Sequence, residues 1–344
     1  MEPSFQVPPQ PKNRTAAWTL AGVVIGFAMP ICACLAIIAA MFTGLAGLTA
    51  PARTGAPSAP LSGGPVHVSG PTSGPAVAII DIVGGIVGGD DSSPLSTDLV
   101  AASARLVPLI RQAAKDTDVK AIVLRINSPG GAVVPTNEIY SALMEANKPI
   151  VAVFGATAAS GGYYIAMAAD HIVANPDTFT GSIGVILSLQ DLEGLFEKVG
   201  VRVNAIKSGP YKDIGSSARG LTEQERALLQ AMVDETYDSF VKVVAQGRRM
   251  SEADVRKIAD GRIMTGRQAL QAKLVDQLGD LDDGVKKAAE LGGITGEPRV
   301  IRYRSSSTLT SFLGGLSRQV LFAALGLPID QSFSSGPQLE YRWP

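Results

Sequence analysis

The stretch Lys120–Val134 reads KAIVLRINSPGGAVV, an apolar β-branched run that ends in Ser-Pro-Gly-Gly before apolar residues resume. A short continuous apolar run closed by turn-forming residues predicts a strand buried on both faces. Upstream, Asp98–Lys115 carries apolar residues at helical spacing, and before it AVAIIDIVGGIV (Ala76–Val87) forms a second buried run directly after Pro75. Together these make a β-α-β beginning. Downstream the alternation continues with a helix near Thr136–Ala146, a strand at Pro149–Gly155 and a helix from Ser160. A short strand HIVAN from His171 follows, then another near Gly184–Leu189, a helix at Leu192–Val199 and a strand at Val201–Lys207. Strands alternating with helices predict an α/β fold with a mostly parallel sheet flanked by helices. Thr222–Gln246, Glu252–Ala259, Thr265–Lys273 and Leu281–Leu291 add a mainly helical second half, and no internal repeat interrupts the pattern.

The ends of the chain differ from this core. From Thr15 to Pro51 there is no charged side chain, and Trp18–Phe42 is apolar for long enough to cross about 30 Å of hydrocarbon. That length exceeds the core of a secretory signal, and Pro51 after Leu48–Ala50 is a poor cleavage context, so the reading is an uncleaved transmembrane anchor. Pro30 within it is a proline of the kind membrane helices tolerate. Lys12 and Arg14 precede the span and only Arg53 follows closely, which places the N-terminus in the cytoplasm and the rest of the protein outside it. Residues 51–75 are rich in Pro, Gly and Ser and read as a tether. The expected organisation is therefore a cytoplasmic tail over 1–14, an anchor over 15–50, the tether, a folded domain over 76–293 and a tail over 294–344. The last holds an apolar segment after Ser305 that fits a membrane surface and a protein contact equally well.

Composition excludes some classes of function. Thirty Lys and Arg balance 31 Asp and Glu across 344 residues, leaving no basic stripe for a phosphate backbone, so nucleic acid is not an expected partner. The two cysteines, Cys32 and Cys34, both lie in the apolar N-terminal run and supply neither a disulfide framework nor a metal site for the folded region. No cofactor or metal is expected.

The chemistry points to ATAASGGYYIAMAAD at Ala156–Asp170, where Ser160 stands at a strand-to-helix transition among small residues. A serine nucleophile needs a base and oxyanion donors. His67 falls in the tether, and His171 lies at the far end of the helix that Ser160 opens, ~15 Å away at 1.5 Å per residue. His171 reads as a partly buried strand residue, and a Ser-His-Asp triad is not expected. Lysine remains. Lys212, in KSGPYKDIGSSARG (Lys207–Gly220) with Tyr211 and Ile214 beside it, would serve if burial or a neighbouring cation lowered its pKa. Catalytic loops look like this stretch, and so do ordinary surface loops. In the SPGG turn the Gly131 N–H, with that of Ser160 at its helix start, would make a two-donor oxyanion hole, although a plain β-α turn has the same sequence.

Four motifs in this order and spacing resemble the signal peptide peptidase A family, serine peptidases with a crotonase/Clp-type core. They are SPGG (Ser128–Gly131), AASGGYYIA (Ala158–Ala166), TGSIGV (Thr180–Val185) and SGPYKDIGS (Ser208–Ser216), joined by ADGRIMTGRQALQAKLVDQLG at Ala259–Gly279. The resemblance runs from about Pro75 to about Gly293. It implies a Ser/Lys dyad with Ser160 as nucleophile, Lys212 as general base, Gly131 as oxyanion donor and Ser182 orienting the lysine. Asp213 reads as structural or substrate-facing, pointing away from the ammonium. The chain matches the short form of the family, which implies a ring-like homo-oligomer whose subunits can share the dyad. It also implies a single-pass inner-membrane protein with an extracytoplasmic catalytic domain acting on remnant signal peptides or membrane-protein fragments. Such a substrate would lie as an added strand, with Met167, Val185 and Ile186 as pocket walls or core residues. Two other classes share features of the sequence: a crotonase-type acyl-CoA enzyme and a catalytically idle membrane scaffold.

Overall fold

The computed structural model describes residues 65–89 and 100–304 and the backbone of 340–342, all within the unit Leu61–Pro344. The expected anchor at Trp18–Phe42 and the apolar tail segment after Ser305 lie outside the described residues. No helix among the described residues is long and apolar enough to cross a membrane.

The strands are β1 (Pro65–Ser69), β2 (Ala76–Val83), β3 (Gly85–Val87), β4 (Val100–Ala102), β5 (Val119–Ser128), β6 (Gly130–Ala132) and β7 (Ile150–Ala159). They continue with β8 (His171–Ala174), β9 (Phe179–Gly181), β10 (Ile263–Thr265), β11 (Gln277–Leu278), β12 (Arg299–Tyr303) and β13 (Glu340–Arg342). The helices are α1 (Ser103–Lys115), α2 (Val133–Met144), α3 (Gly161–Ala166), α4 (Glu193–Lys198), α5 (Glu223–Arg248), α6 (Glu252–Arg256), α7 (Gly266–Gln271) and α8 (Leu281–Leu291).

The main sheet has the order β1-β12-β2-β5-β7-β8-β11, parallel from β12 to β11, with β9 also parallel to β7. Antiparallel pairs are confined to β1 with β12 and β10 with β9. Strand alternation feeds two cores. Ala78, Ile80 and Ile82 of β2 point with Ile122 and Leu124 of β5 into the core shared with α1, α2, α3 and α5. Val77, Ile79, Val123, Val151 and Val153 point the other way, against Ala288 and Ala289 of α8. Burial on both faces explains why these strands read as unbroken apolar runs. Each fully buried Ile or Leu contributes about 1.5–3 kcal/mol. α8 approaches closely because residue 284 is glycine: a Cβ there would lie 2.1 Å from Val153 Cγ2.

The mostly parallel α/β class is as expected, and Leu281–Leu291 matches its predicted bounds. Other expectations need correction. The run Ala76–Val87 is two strands, broken at Gly84 with φ 82°, and β3 joins a second sheet ordered β13-β6-β3-β4. The sheet also takes in β1, inside the expected tether, and β12, inside the expected tail. β1 is exposed along its whole length and is held by its pairing with β12, so side-chain pattern carried little trace of it. The strands expected at Gly184–Leu189 and Val201–Lys207 do not form. Val201 and Val203 alternate as in a strand, but with Ile206 they stand exposed, and no strand among the described residues pairs with them.

Candidate active site

Ser160 occupies the corner between β7 and α3. Its backbone is turned to φ 52° and ψ −117°, outside the regions that L-residues normally adopt. Small neighbours make the corner possible. A Cβ on Gly162 would lie 2.9 Å from the Ser128 carbonyl oxygen, so α3 packs directly on the end of β5. Two threonines tie the last turns of β7: Thr178 Oγ1 donates to Gly155 O at 2.7 Å, and Thr180 Oγ1 donates to Ala158 O at 2.6 Å. The Tyr164 N–H donates to Ser160 O at 2.8 Å, and the buried Tyr163 hydroxyl donates to Leu274 O at 2.8 Å. Burial drives the Tyr163 phenol far above its ordinary pKa, so it stays protonated and serves as a structural donor.

Ser160 itself is 1 % exposed, and its Oγ has no hydrogen-bond partner among the described residues. A buried hydroxyl without a partner costs about 1–3 kcal/mol, which a purely structural serine has no reason to bear. The expected role of the Ser160 N–H needs correction. It donates to Gly181 O at 2.9 Å, an acceptor that β9 brings alongside the corner, so it is not free to hold an oxyanion.

Gly131 lies in β6, paired in parallel with Ile86 of β3. The approach is so close that a Cβ at 131 would sit 2.1 Å from Ile86 O. The SPGG turn is braced from within, since the Gly130 N–H donates to Ser128 Oγ at 3.1 Å. On the other side of β6 lies β13, antiparallel, with Tyr341 opposite Gly131. An extended segment of the chain thus runs as an added strand beside the SPGG turn.

Ser182 is 7 % exposed, has φ 50° and donates its N–H to Arg262 O at 2.8 Å. It opens onto a 380 Å³ cleft whose apolar walls include Val185, Ile186, Val233 and Tyr237. Val185 and Ile186 are therefore cleft residues. Met167 instead lies in the main core. His171 begins β8, part-buried, with Nε2 3.3 Å from Gln277 Oε1, and His67 sits exposed on β1.

Lys212 lies on an exposed turn, its N–H donating to Gly209 O at 3.3 Å. Because Ser160 Oγ has no partner, the Lys212 ammonium does not reach it within this chain. The carboxylate beside it is fully engaged elsewhere. Asp213 Oδ1 accepts from Lys207 Nζ at 2.6 Å and from Arg219 Nη2 at 2.7 Å, and Oδ2 accepts from Arg219 Nε at 3.1 Å. These bonds from Arg219 and Lys207 hold the Asp213 carboxyl well below the usual carboxylate range. Asp213, read from the sequence as structural or substrate-facing, has Lys207 and Arg219 as its side-chain partners.

The same guanidinium grips Glu225, with Nη2 2.6 Å from Oε1 and Nη1 2.8 Å from Oε2. Glu225 closes a capping box at the start of α5: it accepts from the Thr222 N–H at 2.9 Å, while its own N–H donates to Thr222 Oγ1. Sequence reasoning missed this clamp. Its visible signal was the Thr-x-x-Glu spacing at 222–225, a helix-start pattern.

Residues 142–295 match the model of peptidase family S49, and residues 98–178 match that of Clp protease. The first match contains both Ser160 and Lys212. Over these residues the chain is similar to peptidase family S49. Among its relatives, a candidate protease of Synechocystis is 52 % identical over 176 residues, covering 51 % of this chain and 64 % of that one. A candidate signal peptide peptidase of Enterococcus faecium is 42 % identical over 213 residues, 60 % of this chain and 61 % of that one. Protease 4 of Salmonella typhi is 38 % identical over 223 residues, 64 % of this chain and 35 % of that one. The chain thus spans less than two thirds of the length of these relatives.

Proposed function

We propose that this chain is a membrane-anchored serine peptidase of the S49 type in which Ser160 is the nucleophile and Lys212 the general base. The observation that carries the reading is the Ser160 hydroxyl, buried without a partner on a strained strand-to-helix corner. Neutral Lys212 takes the Ser160 proton as Oγ attacks an amide carbonyl. The lysine then returns that proton to the leaving amine, and water releases the acyl group. Gly131 supplies one oxyanion donor. With the Ser160 N–H engaged, the second is the N–H of Gly161, the first residue of α3, which has no acceptor within the helix. Ser182, which borders the 380 Å³ cleft, orients the lysine by a hydrogen bond.

The substrate is an apolar peptide, such as a remnant signal peptide or a membrane-protein fragment, added as a strand to the edge of β6. Antiparallel pairing of β13 at that edge supports this mode. The 380 Å³ cleft offers apolar side-chain binding through Val185 and Ile186. The anchor at Trp18–Phe42 sets the catalytic domain outside the cytoplasm.

Lys212 is supplied by a neighbouring subunit of a homo-oligomer. Support comes from the unmet Ser160 hydroxyl and from the exposed Leu195, Val199, Val201, Val203 and Ile206 on the segment leading to Lys212, an apolar row suited to a second copy. The test is co-expression of Ser160→Ala with Lys212→Ala, each inactive alone, followed by peptide hydrolysis and fluorophosphonate labelling of Ser160. Mixed oligomers that regain activity establish a shared dyad. Mixtures as silent as the parents place both groups in one chain, and full activity of Lys212→Ala alone removes the lysine base.

A further inference from the structure

The turn that carries Lys212 has little to hold it. Its backbone bonds are local, from Lys212 N–H to Gly209 O, Ile214 N–H to Tyr211 O and Ser216 N–H to Asp213 O, and they shape the turn without fixing it to the domain. Its other ties run to the exposed helix α4, through the Leu192 N–H to Ser217 O and the Gly220 N–H to Glu193 Oε2. Among the described residues, one chain of side-chain hydrogen bonds links it to the core. Asp213, next to Lys212, is held through two oxygens by Arg219, which in turn holds both oxygens of Glu225. Glu225 is 2 % exposed and locked into the N-terminus of α5, whose Phe240, Val241 and Val244 are buried in the main core.

We propose that Arg219 is the positioning residue of the catalytic lysine, transmitting the rigidity of α5 through Asp213 to the turn that presents Lys212. The inference rests on Lys212 being the base. Arg219 touches neither substrate nor reacting atoms; it acts through Asp213. Guanidinium geometry matters because Arg219 makes paired N–H bonds to each of two carboxylates at once, a fork of donors that the point-like ammonium of lysine cannot reproduce. Asp213 is also kept from Lys212 by the same grip. Arg219 and Lys207 together take up the carboxylate that would otherwise be free to pair with the neighbouring ammonium and hold it protonated.

The experiment uses the full-length protein in detergent and compares Arg219→Ala, Arg219→Lys and Lys212→Ala for kcat and KM on a fluorogenic apolar peptide, with thermal midpoints alongside. Misplacing a catalytic group by about an ångström costs on the order of 100-fold in rate. Arg219→Ala is therefore expected to lower kcat about 10- to 100-fold while leaving KM within about twofold. Ethylguanidinium in the millimolar range is expected to restore part of that kcat, Arg219→Lys to fall between wild type and Arg219→Ala, and Lys212→Ala to show no rescue. Wild-type kcat in Arg219→Ala overturns the proposal. So does a loss of kcat that ethylguanidinium does not relieve and that tracks a fallen thermal midpoint, which would make Arg219 a folding residue. Activity in Lys212→Ala instead removes the base itself, an outcome separate from either result at Arg219.

Discussion

Replacing Ser160 by glycine and by alanine separates the strain in the nucleophile corner from the chemistry of its hydroxyl. Both variants lack Oγ, so both are inactive, and the cost of the unpartnered hydroxyl is removed equally from each. What differs is the backbone at φ 52° and ψ −117°. Alanine keeps a Cβ in that conformation, at a cost of about 1–3 kcal/mol. Glycine has none, but loses about 0.5–1 kcal/mol through the greater freedom of the unfolded chain. Ser160→Gly should therefore exceed Ser160→Ala in stability by about 1 kcal/mol, which is about 2–4 °C in thermal midpoint for a domain of this size. At an ordinary position the order is reversed. The assay is thermal and denaturant unfolding of the two proteins under identical conditions, with fluorophosphonate labelling confirming that neither reacts. Ser160→Ala equal to or more stable than Ser160→Gly would refute the claim that the corner is strained, and with it the argument that the fold bears a cost to present this hydroxyl.

Other substitutions test neighbouring parts of the site. Gly131→Ala would set a Cβ 2.1 Å from the Ile86 carbonyl oxygen, a backbone atom that cannot step aside, so β6 must move. Displacement of the oxyanion N–H should cost up to about 100- to 1000-fold in kcat, with about 1–3 kcal/mol of stability, read by single-turnover kinetics and unfolding. The acid side of the stability profile reports on the Arg219 clamp. Hydrogen bonds from Arg219 and Thr222 depress Glu225 from its ordinary 4.5 to about 2, so its contribution is complete above about 4.5 and is lost as pH falls through about 2. Glu225→Gln should accordingly lower the thermal midpoint at pH 7 and have a smaller effect near pH 2. Removing residues 340–344 takes β13 from the edge of β6 and is expected to raise kcat/KM for an added peptide. An unchanged value would argue that substrate does not enter there.

Legibility of the fold followed where each residue finds its partners. Ala76–Val83 and Val119–Ser128 were readable because their side chains are buried on both faces of one sheet, which requires an apolar run whatever the connections. Leu281–Leu291 was readable because Asp280 caps it and its apolar face meets Val151 and Val153. β1 was not, since Pro65–Ser69 is exposed throughout and takes its order from the backbone of β12. The oxyanion assignment failed for a related reason. That Ser160 would stand at a strand-to-helix corner follows from local sequence, but that its N–H would meet Gly181 O depends on β9 returning alongside β7, a contact between distant segments.

The segment Val201–Lys207 shows the same limit at the scale of the assembly. Its alternation of Val201 and Val203 is a strand pattern, yet no strand among the described residues pairs with it. Lys212, a few residues on, has the motif of a base and does not meet the serine it would serve. Both features are accounted for together if the missing strand partner and the missing serine lie on the same neighbouring copy. Breaking the alternation with Val203→Lys should then cost oligomer mass in light scattering and peptide hydrolysis in parallel, while leaving the unfolding midpoint of the single subunit within about 0.5 kcal/mol of wild type, as for an ordinary surface change. Loss of activity in an intact oligomer would separate the two and return the delivery of Lys212 to motion within one chain.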